Sequence, residues 1–146
     1  MFGFWLFLHL AGLFLWLGAL LAQTVVLGIL QKQLDSDTGN TLAIKVIRNF
    51  SLFSHPGAVL VLISGVFLIV QMGLGADKPM WLEVMEKGGG TITILALIIT
   101  GIWGRKVKRR LRGGSGQAVK LNGYLTVLTS FMVLILGIVL VVSLRI

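Results

Sequence analysis

The sequence predicts an all-α integral membrane protein, an up-down four-helix bundle built as a single domain over residues 1–146. Three observations predict it. Of 146 residues, 56% are hydrophobic and only 12% are charged, too few charges for a soluble domain of this size to cover its apolar surface. Four apolar runs reach the ~18 residues that a membrane span requires; they cover about 2–30, 42–72, 81–103 and 121–144. The basic residues are segregated, with ten of the 13 Lys and Arg in 31–49 and 105–120, and only Lys78, Lys87 and Arg145 elsewhere. The positive-inside rule then places both basic loops in the cytoplasm and both termini on the extracytoplasmic side.

The first run contains no proline. It lacks a basic leading region and exceeds the ~7–15 apolar residues of a signal peptide, so a span is expected rather than a cleaved leader. "QKQLDSDTGN" follows and is polar and rich in turn formers, which predicts a loop. The second run opens with "TLAIKVIRNFSLF", carrying Lys45 and Arg48. That opening is either a cytoplasmic extension of the second helix or a short helix in the interface. Pro56 is either the first residue of a new helix or a kink within one long helix.

"GLGADKP" is a short outer loop, and Trp81 anchors the third run at the outer interface. The third run is followed directly by "GRKVKRRLR". Next to a span, this basic stretch reads as a topology signal touching anionic lipid headgroups rather than as a nucleic-acid site. "RGGSGQ" is a flexible cytoplasmic turn, and the fourth run is aliphatic and ends at Arg145. The chain has no cysteine, which excludes disulfides, thiolate metal sites and cysteine nucleophiles.

Ionisable residues inside a span are costly and mark candidate sites. His9 lies about seven residues into the first run, roughly 10 Å deep at ~1.5 Å per residue. Lys87 lies about six residues into the third, roughly 9 Å deep from the same side. His55 lies about 17 residues from the outer end of the second run, so the two histidines differ in depth by ~15 Å. A bis-histidine haem from His9 and His55 is therefore disfavoured, and His55 reads better as the mark of a helix start.

His9, Trp16 and Gln23 are spaced by seven and share one stripe, expected to face the bundle interior. Gly88, Gly89 and Gly90 follow Lys87 directly and would let a flat cofactor or another helix approach the backbone. A histidine, a lysine and a bare backbone at one depth outline a cofactor pocket, and a haem suits it, since imidazole ligates iron within apolar walls. Plainer roles are open too. His9 can hydrogen-bond a neighbouring helix, and Lys87 can snorkel outward and pair with Glu83 one turn earlier. The glycines can serve close packing alone, and Met132 reads as core filling. Asp77, Glu83 and Glu86 cluster near the outer surface, where Lys78 and Lys87 oppose a cation. Gly101 and Gly104 are three apart rather than the four of GxxxG, a weak signal for a homodimer face.

"LHLAGLFLWLGALL" resembles the first helix of the HemJ-type protoporphyrinogen oxidases, where a histidine is followed seven residues later by tryptophan. "HPGAVLVLISGVFLIV", "MWLEVMEKGGG" and "LNGYLTVLTSFMVLILGIVLVV" are similar to that family's second, third and fourth helices, in the same order. CopD-like copper-resistance proteins share much of the pattern. The resemblance implies haem b within the bundle, His9 as the iron ligand, Lys87 as a residue needed for activity, and a bacterial-type plasma (inner) membrane. The chain departs from the family in lacking an arginine late in the first helix and an Asn-Glu opening of the fourth.

The function expected is that of a haem b-binding membrane redox protein. His9 would ligate iron, Lys87 would ligate it weakly or pair with a propionate or substrate, and Trp16 would wall the pocket. Electrons would pass to or from quinone or a respiratory partner. The alternatives are a non-enzymatic accessory subunit of a larger respiratory-type complex, and a copper-handling protein using the soft thioethers of Met72, Met80 and Met85.

Overall fold

A computed structural model describes residues 1–34, 36–75, 78–113 and 120–144. Asp77, Arg145 and most of the "RGGSGQ" turn lie outside the described residues. The described residues are helical almost throughout. In chain order they form α1 (Phe2–Leu30), a 3-10 turn (Gln31–Gln33), α2 (Asp37–Met72), α3 (Met80–Glu83), a π-helical stretch (Val84–Gly89), α4 (Gly90–Arg112) and α5 (Asn122–Leu144).

Three helical stretches are long and apolar enough to cross a membrane: 2–33, 37–72 and 122–144. The third apolar run of the sequence is helical too but is not among them. Its backbone stays right-handed from Met80 to Arg112, yet a π-helical stretch interrupts it and its last turns are basic.

The opening of the second run is an extension of the helix. α2 is continuous through Pro56, which sits inside it. It begins at Asp37, within the stretch expected to be loop, because Ser36 caps it by accepting from the Gly39 N–H at 3.0 Å. The link from α1 is correspondingly tight. A Cβ on Gly39 would lie 1.9 Å from the Gln33 carbonyl oxygen, so only glycine fits there.

Specific contacts fix how the helices lie. Trp5 stacks on Phe67 with centroids 4.0 Å apart, His9 meets Val61, and Gly12 meets Gly57. The numbers rise on α1 as they fall on α2, so the two run antiparallel. Gly101 and Gly104 of α4 face His55 and Ile47 of α2, again in opposite order. Gly89 and Gly104 face Ile138 and Tyr124 of α5, and Gln23 of α1 and Gln31 of the 3-10 turn after it reach Tyr124 and Asn122 of α5. These pairs also run antiparallel.

Polarity is inverted relative to a soluble protein. Phe7, Phe14, Phe53, Val70, Ile102 and Leu140 project outward, while Gln23, Ser54, Ser64, Thr93 and Thr100 are buried. Thr93 and Thr100 donate back to the carbonyls of Gly89 and Ala96, so their hydroxyls are satisfied without solvent. An apolar exterior of this kind suits contact with a lipid bilayer.

Candidate functional site

The polar interior of α1 is a stripe, as its spacing predicts. Trp16 and Gln23 are both 2% exposed and His9 is half-buried. The Gln23 amide donates to the Tyr124 hydroxyl at 2.7 Å, joining α1 to α5. The ring of His9 lies against α2. Its Nδ1 is 3.1 Å from the Val61 carbonyl oxygen and 3.1 Å from Ser64 Oγ. A carbonyl can only accept, so Nδ1 carries the proton and Nε2 keeps its lone pair. The Ser64 hydroxyl donates to the Leu60 carbonyl and is free to accept from Nδ1. Gly65 makes room for the ring, since a Cβ there would meet His9 Cε1 at 3.4 Å.

Beside this histidine opens a cavity of about 660 Å³, within the ~300–1,000 Å³ range of ligand and cofactor sites. His9, Leu13 and Trp16 of α1, Val61 and Gly65 of α2, and Ile135 and Ile138 of α5 line it. The π-helical stretch and the start of α4 supply Met85, Glu86, Gly89 and Gly90. π-Helical turns inside helices recur at functional sites, and this one presents Gly89 to the cavity, next to Gly90 at the start of α4. No hydrogen-bond partner for His9 Nε2 exists among the described residues.

Lys87 is placed differently from its expected role. It does not line the cavity. Its ammonium is bound to Glu83 one turn earlier at 2.5 Å, and its side chain is 75% exposed. Depth along a helix does not give direction around its axis, and Lys87 points away from the cavity. Lys78, eight residues before Glu86, lines the cavity instead and is bonded to Glu86 at 2.6 Å.

His55 stands apart. Its Nδ1 takes the Ser51 carbonyl at 3.0 Å and its Nε2 side faces Gly101 of α4. Counted along α2 from Gly65, it lies ten residues away, or ~15 Å. The two histidines do not share a site. Gly101 and Gly104 face His55 and Tyr124 within the chain, so both are used in intramolecular packing. Met72 and Met85 line the cavity, Met80 is turned outward at 73% exposure, and Met132 is half-buried. Among the described residues, no group of three or more His, Asp or Glu stands close enough to hold a metal ion. Glu83 and Glu86 are each paired with a lysine instead.

Sequence reasoning missed Ser64, Gly65 and Lys78. The first two carried a signal, because a Ser-Gly pair interrupts the apolar run "VLISGVFLIV". Compared with family models, curated proteins and solved structures, the chain matches none.

Proposed function

We propose that this protein is a membrane-embedded four-helix bundle that holds a haem b through His9 and exchanges electrons with quinone or a respiratory partner. One observation carries the reading. His9 lines a largely apolar cavity of about 660 Å³, is oriented through Nδ1 by a backbone carbonyl, and has no partner for Nε2 among the described residues. Metal-ligating histidines are held in this way, with one ring nitrogen fixed by a carbonyl so that the other points at the metal.

The residues present fit the group. Trp16, Leu13, Ile135 and Ile138 give apolar walls, and Gly65, Gly89 and Gly90 leave space for a planar ring. Bound haem would supply one-electron redox chemistry. The protein's part would be to hold the imidazole in place through Nδ1 and to keep water from the site with its apolar walls. Dehydrogenating a tetrapyrrole requires groups that take up several protons. Among the described residues on the cavity wall only Glu86 is a carboxylate, and it is already paired. Electron exchange therefore suits the site better than the oxidase chemistry of the HemJ-type family.

The antiparallel helix pairs support four crossings, with α3, the π-helical stretch and α4 acting together as the third. The basic loops 31–49 and 105–120 would then face the cytoplasm of a bacterial-type plasma membrane. A second reading, copper(I) handling, draws on Met72 and Met85, which line the same cavity as His9.

The test is an absorption spectrum of detergent-purified protein, oxidised and dithionite-reduced, with a pyridine haemochrome assay on the wild type and His9→Ala. Near-stoichiometric haem b in the wild type and its loss in His9→Ala are expected. Equal haem content in both would sink the reading. A colourless wild type that binds copper(I) would favour the second.

A further inference from the structure

We infer that Lys78 is the anion-binding residue of this cavity and that it receives the carboxylate of the bound molecule, a propionate in the case of haem b. The inference rests on the haem reading above and adds a polar contact to it.

Among the described residues that line the cavity, only Lys78 and Glu86 carry full charges. Both are partly exposed, with side chains 29% and 37% accessible, so they stand where the cavity meets its surroundings. Lys78 follows the end of α2, and the wall leading to it is formed by the last turns of that helix. His9 touches α2 at Gly65, seven residues before the helix ends at Met72. Seven residues of helix span ~10 Å. That is the scale of the distance from the centre of a porphyrin to the end of a propionate arm. A planar ligand held at its centre by His9 would thus bring its acidic edge to the end of α2, beyond which Lys78 lines the cavity.

The chemistry of the pair agrees. An ammonium has three N–H donors. Glu86 takes one at 2.6 Å, and no other acceptor bonds Lys78 among the described residues. Two donors remain for a ligand carboxylate. Glu86 then acts as a positioning residue that holds the flexible lysine stem at the mouth. Lys87 is not placed for this part, because it does not line the cavity.

The experiment titrates full-length apoprotein in detergent with haem b and with its dimethyl ester, in which both propionates are blocked, and follows binding by absorption. Three proteins are compared: wild type, Lys78→Met and Glu86→Gln. The wild type is expected to prefer haem b by about tenfold, the scale of one partly solvated charge-assisted hydrogen bond. Lys78→Met is expected to bind both compounds alike, near the wild-type affinity for the ester. Glu86→Gln removes the carboxylate charge but keeps a side-chain oxygen that can accept from the Lys78 ammonium and hold it at the mouth, so its preference for haem b should persist. Equal binding of both compounds by the wild type overturns this inference alone. So does an undiminished preference in Lys78→Met, or loss of the preference in Glu86→Gln to the same extent as in Lys78→Met. Failure of the wild type to bind either compound overturns the haem reading and this inference with it.

Discussion

Gly12 and Gly57 meet backbone to backbone where α1 crosses α2. A Cβ on Gly12 would lie 2.9 Å from the Gly57 carbonyl oxygen, and one on Gly57 would lie 3.0 Å from the Gly12 carbonyl oxygen. The contact is reciprocal, and any side chain at either position must push the helices apart. In a bilayer there is little hydrophobic drive between helices, so close approach at small residues supplies much of the packing. Gly57→Leu is therefore expected to destabilise the protein by ~1–3 kcal/mol, the range for overpacking a tight core. Thermal unfolding in detergent would show it, and an unchanged melting temperature would remove the crossing from the list of stabilising contacts.

The same crossing seats the candidate site one turn away. Gly65→Leu would place its side chain against the His9 ring, where even a Cβ stands 3.4 Å from Cε1. The ring would lose its place on the Val61 carbonyl. Haem content should fall several-fold while the helical circular dichroism signal stays near wild type. Full retention of haem would mean that His9 does not need this seat. Ser64→Ala removes only one of two Nδ1 partners. A smaller loss of haem content than in Gly65→Leu is expected there.

Much of this arrangement was legible in the sequence because membrane proteins write polarity in few letters. His9, Trp16 and Gln23 stood out by spacing, and all three turn inward. Depth was legible for His55 as well, because rise per residue is fixed along a helix. Direction around the axis was not. Lys87 lies inside the π-helical stretch, whose wider turn moves side chains around the axis, and Lys78 precedes the helix altogether. No periodicity of apolar residues reveals that shift. The start of α2 was missed for a different reason. Ser36, Asp37, Thr38, Gly39 and Asn40 read as turn formers, and here Ser36 is a cap while Gly39 clears a carbonyl.

Gln23 and Tyr124 test the polar interior. Each is 2% exposed and they are bonded at 2.7 Å. Tyr124→Phe strands a buried amide, at a cost of ~1–3 kcal/mol. The double variant Gln23→Leu with Tyr124→Phe removes both groups and should be less destabilised than the sum of the two single changes. Additive losses in chemical denaturation would mean that the two side chains act independently.

The absence of cysteine makes orientation simple to measure, because a single introduced thiol is labelled without background. Met80→Cys lies at an exposed position and Lys106→Cys at another. With a membrane-impermeant maleimide on intact cells, Met80→Cys should be labelled directly and Lys106→Cys only after permeabilisation. The reverse pattern would invert the proposed topology, and labelling of both from outside would mean that the segment between them does not cross.

Lys87 separates the resemblance from the geometry. If the chain used this lysine as the HemJ-type family does, removing it would disturb the site. The structure gives Lys87 an exposed side chain and an ion pair within its own helical turns, to Glu83. Such pairs contribute little when solvent or headgroups can replace either partner. Lys87→Gln is therefore expected to keep the wild-type haem content, haem affinity and melting temperature, in contrast to Lys78→Met, which should lose its preference for free propionates. Parallel absorption titrations of the two variants decide it. A collapse of haem binding in Lys87→Gln would mean that Lys87 turns inward when the site is filled, and the role inferred for Lys78 would pass to it.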